Sequence, residues 1–172
     1  MYRMMSEVFN VLYGSNVGFD GPTDVYEIAS ALLKFEQRFL EWQSRLPGPL
    51  ALISEEELAS PPTDFAISRL RVVLTFRFLN FRILTHRPLL CKFLEAAGSP
   101  QINRQQSMVL RQVGANSIRI CAQASTFVIR LTQWALQHSE APPQELLGAW
   151  WLTLYYGDCL HMPAYWTKLT HK

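Results

Sequence analysis

Val25, Ile28, Leu32, Phe35, Phe39, Trp42 and Leu46 follow one another at alternating intervals of three and four residues. Only a helix of 3.6 residues per turn brings all seven to one face; a strand would scatter them over both. Asp24 stands at the N-cap position, and Glu27, three residues on, predicts a reciprocal capping box. Pro47-Gly48-Pro49 ends the helix, because proline lacks the backbone donor and disfavours helical torsions in the residue before it. An uninterrupted seam of this length faces a core, and Trp42 is expected within it.

The same period recurs along the chain. Met1, Met4 or Met5, Val8 and Leu12 form a shorter stripe, followed by a Gly-rich loop from Gly14 to Pro22. Residues 50–63 read as an irregular connector, with Glu55-Glu56-Glu57 either a first helical turn or a solvated loop. A second long helix is predicted from Asp64 to about Thr85, apolar on several faces and so buried among others. Pro88 is expected to break or kink it, leaving a short helix from Leu89 to Ala97 that stops at Gly98. A third long segment runs from about Asn103 to His138, with a bend expected at Gly114. Pro142-Pro143 opens a last helix containing Trp150, Trp151 and Tyr155. No β alternation and no internal repeat is present. These elements predict an all-α chain, an irregular multi-helix array of about five to six helices, part of a larger helical domain.

Composition narrows the function classes. The 172 residues are 49% hydrophobic and 17% charged, against about 25% charged in an average domain, which excludes intrinsic disorder. The longest charge-free apolar stretch, Leu146 to Gly157, has 12 residues, whereas a membrane-spanning helix needs about 20. Glu7 interrupts the amino-terminal apolar run, so no signal peptide is expected. Three cysteines, Cys91, Cys121 and Cys159, fit a reducing compartment better than a disulfide scaffold. The expectation is an intracellular protein. Residues 1–64 hold 4 basic and 10 acidic residues, while residues 65–172 hold 12 basic and 4 acidic. The basic residues are mostly Arg set among apolar residues, as suits partly buried pairs between docked helices better than a nucleic-acid surface.

Catalytic and metal chemistry find little support. Cys159 and His161 form one close ligand pair, where a structural zinc site wants four ligands, typically in two pairs. Neither a nucleophile elbow nor a Gly-rich phosphate loop occurs. The expectation is a protein that is not an enzyme, with no cofactor-binding or metal-binding residues. One constellation remains. An apolar helix that keeps Asn80, Arg82, His86 and Arg87 must pair or expose them, since an unsatisfied buried polar group costs about 1–3 kcal/mol. These residues, with Pro88, are the structural and regulatory candidates. They would brace the joint at Pro88, pairing with acids of neighbouring helices, or form a ligand or partner site. Arg87 is expected to tie the helix end to a neighbouring carbonyl or carboxylate.

The run Phe78-Leu-Asn80-Phe-Arg82-Ile-Leu-Thr-His86-Arg87-Pro88-Leu resembles a characteristic helix of the fungal-specific transcription factor domain, the middle homology region of fungal zinc-cluster regulators. Phe35-Glu36-Gln-Arg38-Phe-Leu40-Glu-Trp42 through Leu46-Pro47, then Cys121-Ala122-Gln-Ala124-Ser, then Trp150-Trp151-Leu-Thr-Leu-Tyr155-Tyr156 resemble further segments of it in the same order. The resemblance covers about residues 1–157, leaving 158–172 as a divergent tail. It implies a non-catalytic regulatory domain acting in the nucleus on RNA polymerase II transcription, through helix packing and an effector. Its implied partners are a small-molecule effector or a transcription co-regulator, with no membrane. DNA contact and zinc belong to the family's six-cysteine cluster, which has no counterpart in this sequence, so the chain resembles a fragment of such a regulator. The alternative reading is a generic helical protein-interaction scaffold.

Overall fold

A computed structural model describes residues 1–13, 24–62, 64–98 and 104–138. The described residues are all-α, with four α-helices and no strand among them: α1 Tyr2–Leu12, α2 Val25–Ser44, α3 Phe65–Gly98 and α4 Arg104–Gln137. Two short 3-10 turns, Gly48–Leu50 and Glu56–Ala59, occupy the connector. The count is lower than the sequence suggests for two reasons. The helix expected after Pro142 lies outside the described residues, and α3 runs without a break through Pro88. No helix among the described residues is long and apolar enough to cross a membrane.

The continuity of α3 corrects the expected break. Proline removes one helical hydrogen bond, the one its own N–H would give to the carbonyl four residues back. At Pro88 that carbonyl is Leu84, and the Tyr13 hydroxyl donates to it at 2.6 Å. Leu89 and Leu90, just beyond the proline, are buried, so packing favours continuing the helix.

The chain divides into two compact units, Met1–Arg45 with Phe81–Cys121, and Leu46–Asn80 with Ala122–Lys172. In the first unit the α2 seam is buried from Val25 through Phe39. Phe39 meets Phe81 of α3 edge-on, with ring centroids 4.9 Å apart. Met4, Val8 and Leu12 of α1 are buried as their spacing predicts, and Arg38 of α2 pairs with Glu7 of α1. Trp42 is only half-buried, contrary to expectation, because the seam leaves the core in the last turn of α2. Asp24 is the N-cap residue of α2, but its side chain makes no capping bond, so the predicted box with Glu27 does not form.

In the second unit Arg71 of α3 pins the connector. Its guanidinium donates to the Ala51 and Leu52 carbonyls and to Glu57. Thr75, one turn on, accepts from the Ile53 amide at 3.0 Å and donates to the Arg71 carbonyl. Ser54 and Glu57 exchange side-chain bonds with each other's backbone N–H groups, so the acidic triplet starts a 3-10 turn with a capping box. Trp134 of α4 is buried and donates its indole N–H to the Ser60 carbonyl.

Gly114 does not interrupt α4. A Cβ there would lie 2.7 Å from Phe93 Cδ2 and 3.1 Å from Phe93 Cβ, so the glycine serves a close approach of α4 to α3 in the first unit.

Candidate functional site

The polar centre of the first unit is built on Glu36. α2 carries it just outside the apolar seam, one residue after Phe35. Arg82 of α3 grips its carboxylate with two hydrogen bonds, Nε to Oε1 at 3.2 Å and Nη2 to Oε2 at 2.9 Å. His86 lies one turn further along α3, on the same face. Its Nε2 is 3.0 Å from Glu36 Oε1, and its Nδ1 is 3.0 Å from the Ser117 hydroxyl of α4. Three helices therefore meet through one carboxylate and one imidazole.

Burial and charge fix the protonation pattern. Burial pushes the Glu36 carboxyl up, but the hydrogen bonds from His86 and Arg82, with the charge of Arg82, outweigh it and hold the group below its ordinary value. An ionised carboxylate only accepts, so His86 Nε2 carries a proton. Nδ1 is the hydrogen-bond partner of the Ser117 hydroxyl, whichever of the two supplies the proton. One turn beyond Ser117 the Cys121 thiol points at the Ile83 carbonyl, 3.9 Å away. Burial pushes its pKa up to about 12, so it is a thiol and not a nucleophile at neutral pH.

Serine, histidine and glutamate in sequence resemble a hydrolytic relay, but three features oppose that use. The ring is turned, with Nε2 facing the acid and Nδ1 the serine, the reverse of the serine hydrolase template. Arg82 competes for the same carboxylate. Ser117 is 1% exposed and His86 3%, so no acyl group can reach the hydroxyl. The arrangement instead satisfies polar groups in a place where leaving them unpaired would be costly.

The sequence candidates fall in different places. Arg82 and His86 are brought together on Glu36. Asn80 is half-buried on the part of α3 that belongs to the second unit. Pro88 sits inside the helix, with Leu84 as the carbonyl it leaves open. Arg87 is exposed and makes no hydrogen bond or ion pair with the described residues, so the expected tie at a helix end is corrected. It lacks that role because α3 continues for eleven residues after it and provides no end there. Glu36 and Ser117 were not among the candidates. Glu36 had a signal, being an acid directly beside the apolar seam. Ser117 had none, since a lone serine in a helix is usually solvated.

Part of the uneven charge of the two halves goes into pairing. Glu36 with Arg82, Glu57 with Arg71 and Glu55 with Arg130 each join an early acid to a later arginine. A groove of about 340 Å³ in the second unit is lined by Ile53, Pro61, Pro62, Arg71 and Trp134 among others. Its Arg71 and Trp134 donors are already taken by the connector. No group of three or more potential metal ligands gathers among the described residues.

Comparison with known proteins gives a direction. No family model matches the chain, and no solved structure matches it. It is 29% identical over 157 residues to the protein named Transcription factor FBD3 of Gibberella moniliformis. It is 31% identical over 163 residues to the protein of the same name in Fusarium pseudograminearum. The similarity is to fungal transcription factors. Both alignments cover 91% of this chain and 21% of the relative, so the chain spans about a fifth of the length of the curated relatives it matches.

Proposed function

We propose that this chain is a non-catalytic regulatory segment of a fungal transcription factor, corresponding to part of the middle homology region of zinc-cluster regulators. The observation that carries this reading is the Glu36–Arg82–His86–Ser117 centre. Arg82 and His86 lie in the segment that resembles the family's characteristic helix, and Glu36 lies in a second such segment. The two segments meet in a part-buried polar junction, which suits a role in fixing helix arrangement. Such a domain acts in the nucleus by restraining or transmitting activation, and a small-molecule effector or co-regulator would act by shifting this junction. DNA and zinc contacts are assigned to a separate zinc cluster, outside these residues.

The test is a reporter assay. The full chain is placed between a heterologous DNA-binding domain and an activation domain, and output is compared with a fusion lacking it. The chain should change output without changing promoter occupancy, and Glu36→Ala should reverse that change. Equal output with and without the chain, at equal protein levels, would overturn the reading.

A further inference from the structure

Ser68 of α3 is 9% exposed and lines the groove of the second unit. Its amide donates to the Asp64 carbonyl, but its hydroxyl makes no hydrogen bond with the described residues. The buried threonines behave differently. Thr75, Thr85 and Thr132 each donate to the carbonyl four residues back on their own helix. A helical hydroxyl commonly satisfies itself in this way. Ser68 keeps its hydroxyl for the groove, and a polar group this buried calls for a partner there.

The rest of the groove limits what that partner can be. Ile53, Pro61, Pro62 and Trp134 give it apolar walls, and its volume of about 340 Å³ suits a small molecule. The strong donors beside it are turned to the connector. The Arg71 guanidinium donates to the Ala51 and Leu52 carbonyls and to Glu57, and the Trp134 indole to the Ser60 carbonyl. Glu57 balances Arg71, whereas Glu56, which also lines the groove, forms no ion pair with the described residues. The Ser54 hydroxyl beside Glu56 holds its carboxyl below the ordinary value, so it is an anion at neutral pH. The groove therefore keeps one uncompensated negative charge and one unused hydroxyl oxygen beside apolar walls.

We infer that this groove binds a small protonated amine carried on a compact apolar body. The ammonium group donates to the Glu56 carboxylate and to Ser68 Oγ, and the body displaces water from the proline and tryptophan walls. An anion of the same size would meet the carboxylates of Glu56 and Glu57, which selects against it. The inference rests on the second unit alone and holds whatever the Glu36 junction of the first unit does.

The probes are three ligands that share one phenylethyl body: phenethylamine, 2-phenylethanol and 3-phenylpropionate. Binding to the full chain at neutral pH is read from the indole N–H signal of Trp134 in proton–nitrogen correlation spectra, assigned with Trp134→Phe. The amine should shift that signal with a Kd about tenfold or more below that of the alcohol, and the carboxylate should leave it in place. Glu56→Gln should bring the amine to the level of the alcohol; the residue is exposed, so this variant keeps the test decisive if a substitution at Ser68 disturbs α3. Ser68→Ala should weaken the amine several-fold and leave the alcohol and the carboxylate in the same order. Three outcomes overturn the proposal: no shift of the Trp134 signal with the amine, a Kd for the alcohol or the carboxylate equal to or below that of the amine, or an amine preference that survives Glu56→Gln.

Discussion

The Tyr13 hydroxyl caps the Leu84 carbonyl, the acceptor that Pro88 leaves without a backbone donor. A residue just after α1 thus supplies the hydrogen bond that a residue inside α3 cannot. Tyr13→Phe should cost about 1–2 kcal/mol in chemical denaturation, the range for stranding a partly buried carbonyl. Pro88→Ala restores the N–H, so Tyr13→Phe should cost much less in that background. A double-mutant cycle with no coupling energy would show that the two residues act independently.

Acid should weaken the first unit through Glu36. Its pKa is lowered from 4.5, so its stabilising contribution is fully present above that value and is lost as pH falls through the lowered one. Unfolding free energy should therefore decline as the pH falls below about 4.5, and Glu36→Gln should flatten the decline. At neutral pH the Glu36→Ala variant, which strands Arg82 and His86 together, should cost about 1–3 kcal/mol. An unchanged acid slope in Glu36→Gln would remove Glu36 from this role.

Gly114→Ala gives an opposite result to helix propensity. In an open helix the change gains up to about 1 kcal/mol. Here the new methyl meets Phe93 at Cβ as well as in the ring, and a Cβ cannot swing away without moving α3. The variant should lose about 1–3 kcal/mol by overpacking. Phe93→Leu in the same chain should recover part of the loss; a stabilised Gly114→Ala would contradict the close approach.

Thiol labelling should separate two of the cysteines. Cys91 is exposed and Cys121 buried. Under native conditions at mildly alkaline pH, iodoacetamide should modify Cys91 within minutes and leave Cys121 unmodified until denaturant is added. Peptide mapping that finds both labelled at equal rates would show that the helices around Cys121 open readily.

The sequence made the helical architecture legible because the α2 seam and the α1 stripe repeat at the helical period. It misled at Pro88, because one missing donor is a local fact while its replacement, Tyr13, comes from 75 residues earlier in the chain. The pairing of Arg82 and His86 was foreshadowed by polar residues in an apolar helix. Their acceptor was harder to name, since an acid beside a buried seam can face water or a neighbour. Ser117 and the exposure of Arg87 were not readable, as both depend on where another helix lies or ends. The charge imbalance between the halves did carry meaning: Glu36, Glu55 and Glu57 of the first half pair with Arg82, Arg130 and Arg71 of the second.

Neither compact unit is a continuous stretch of chain. They alternate along it, and both 34-residue helices change membership midway, α3 between Asn80 and Phe81 and α4 between Cys121 and Ala122. A ribosome releasing this chain in order must expose about half of α4 before the first unit owns all of its residues. Deletion mapping meets the same interleaving. A premature stop between Asn80 and Cys121 removes part of one unit and leaves the other without its α4 half, so loss of activity in nested truncations would report broken folding and could not be assigned to the missing residues.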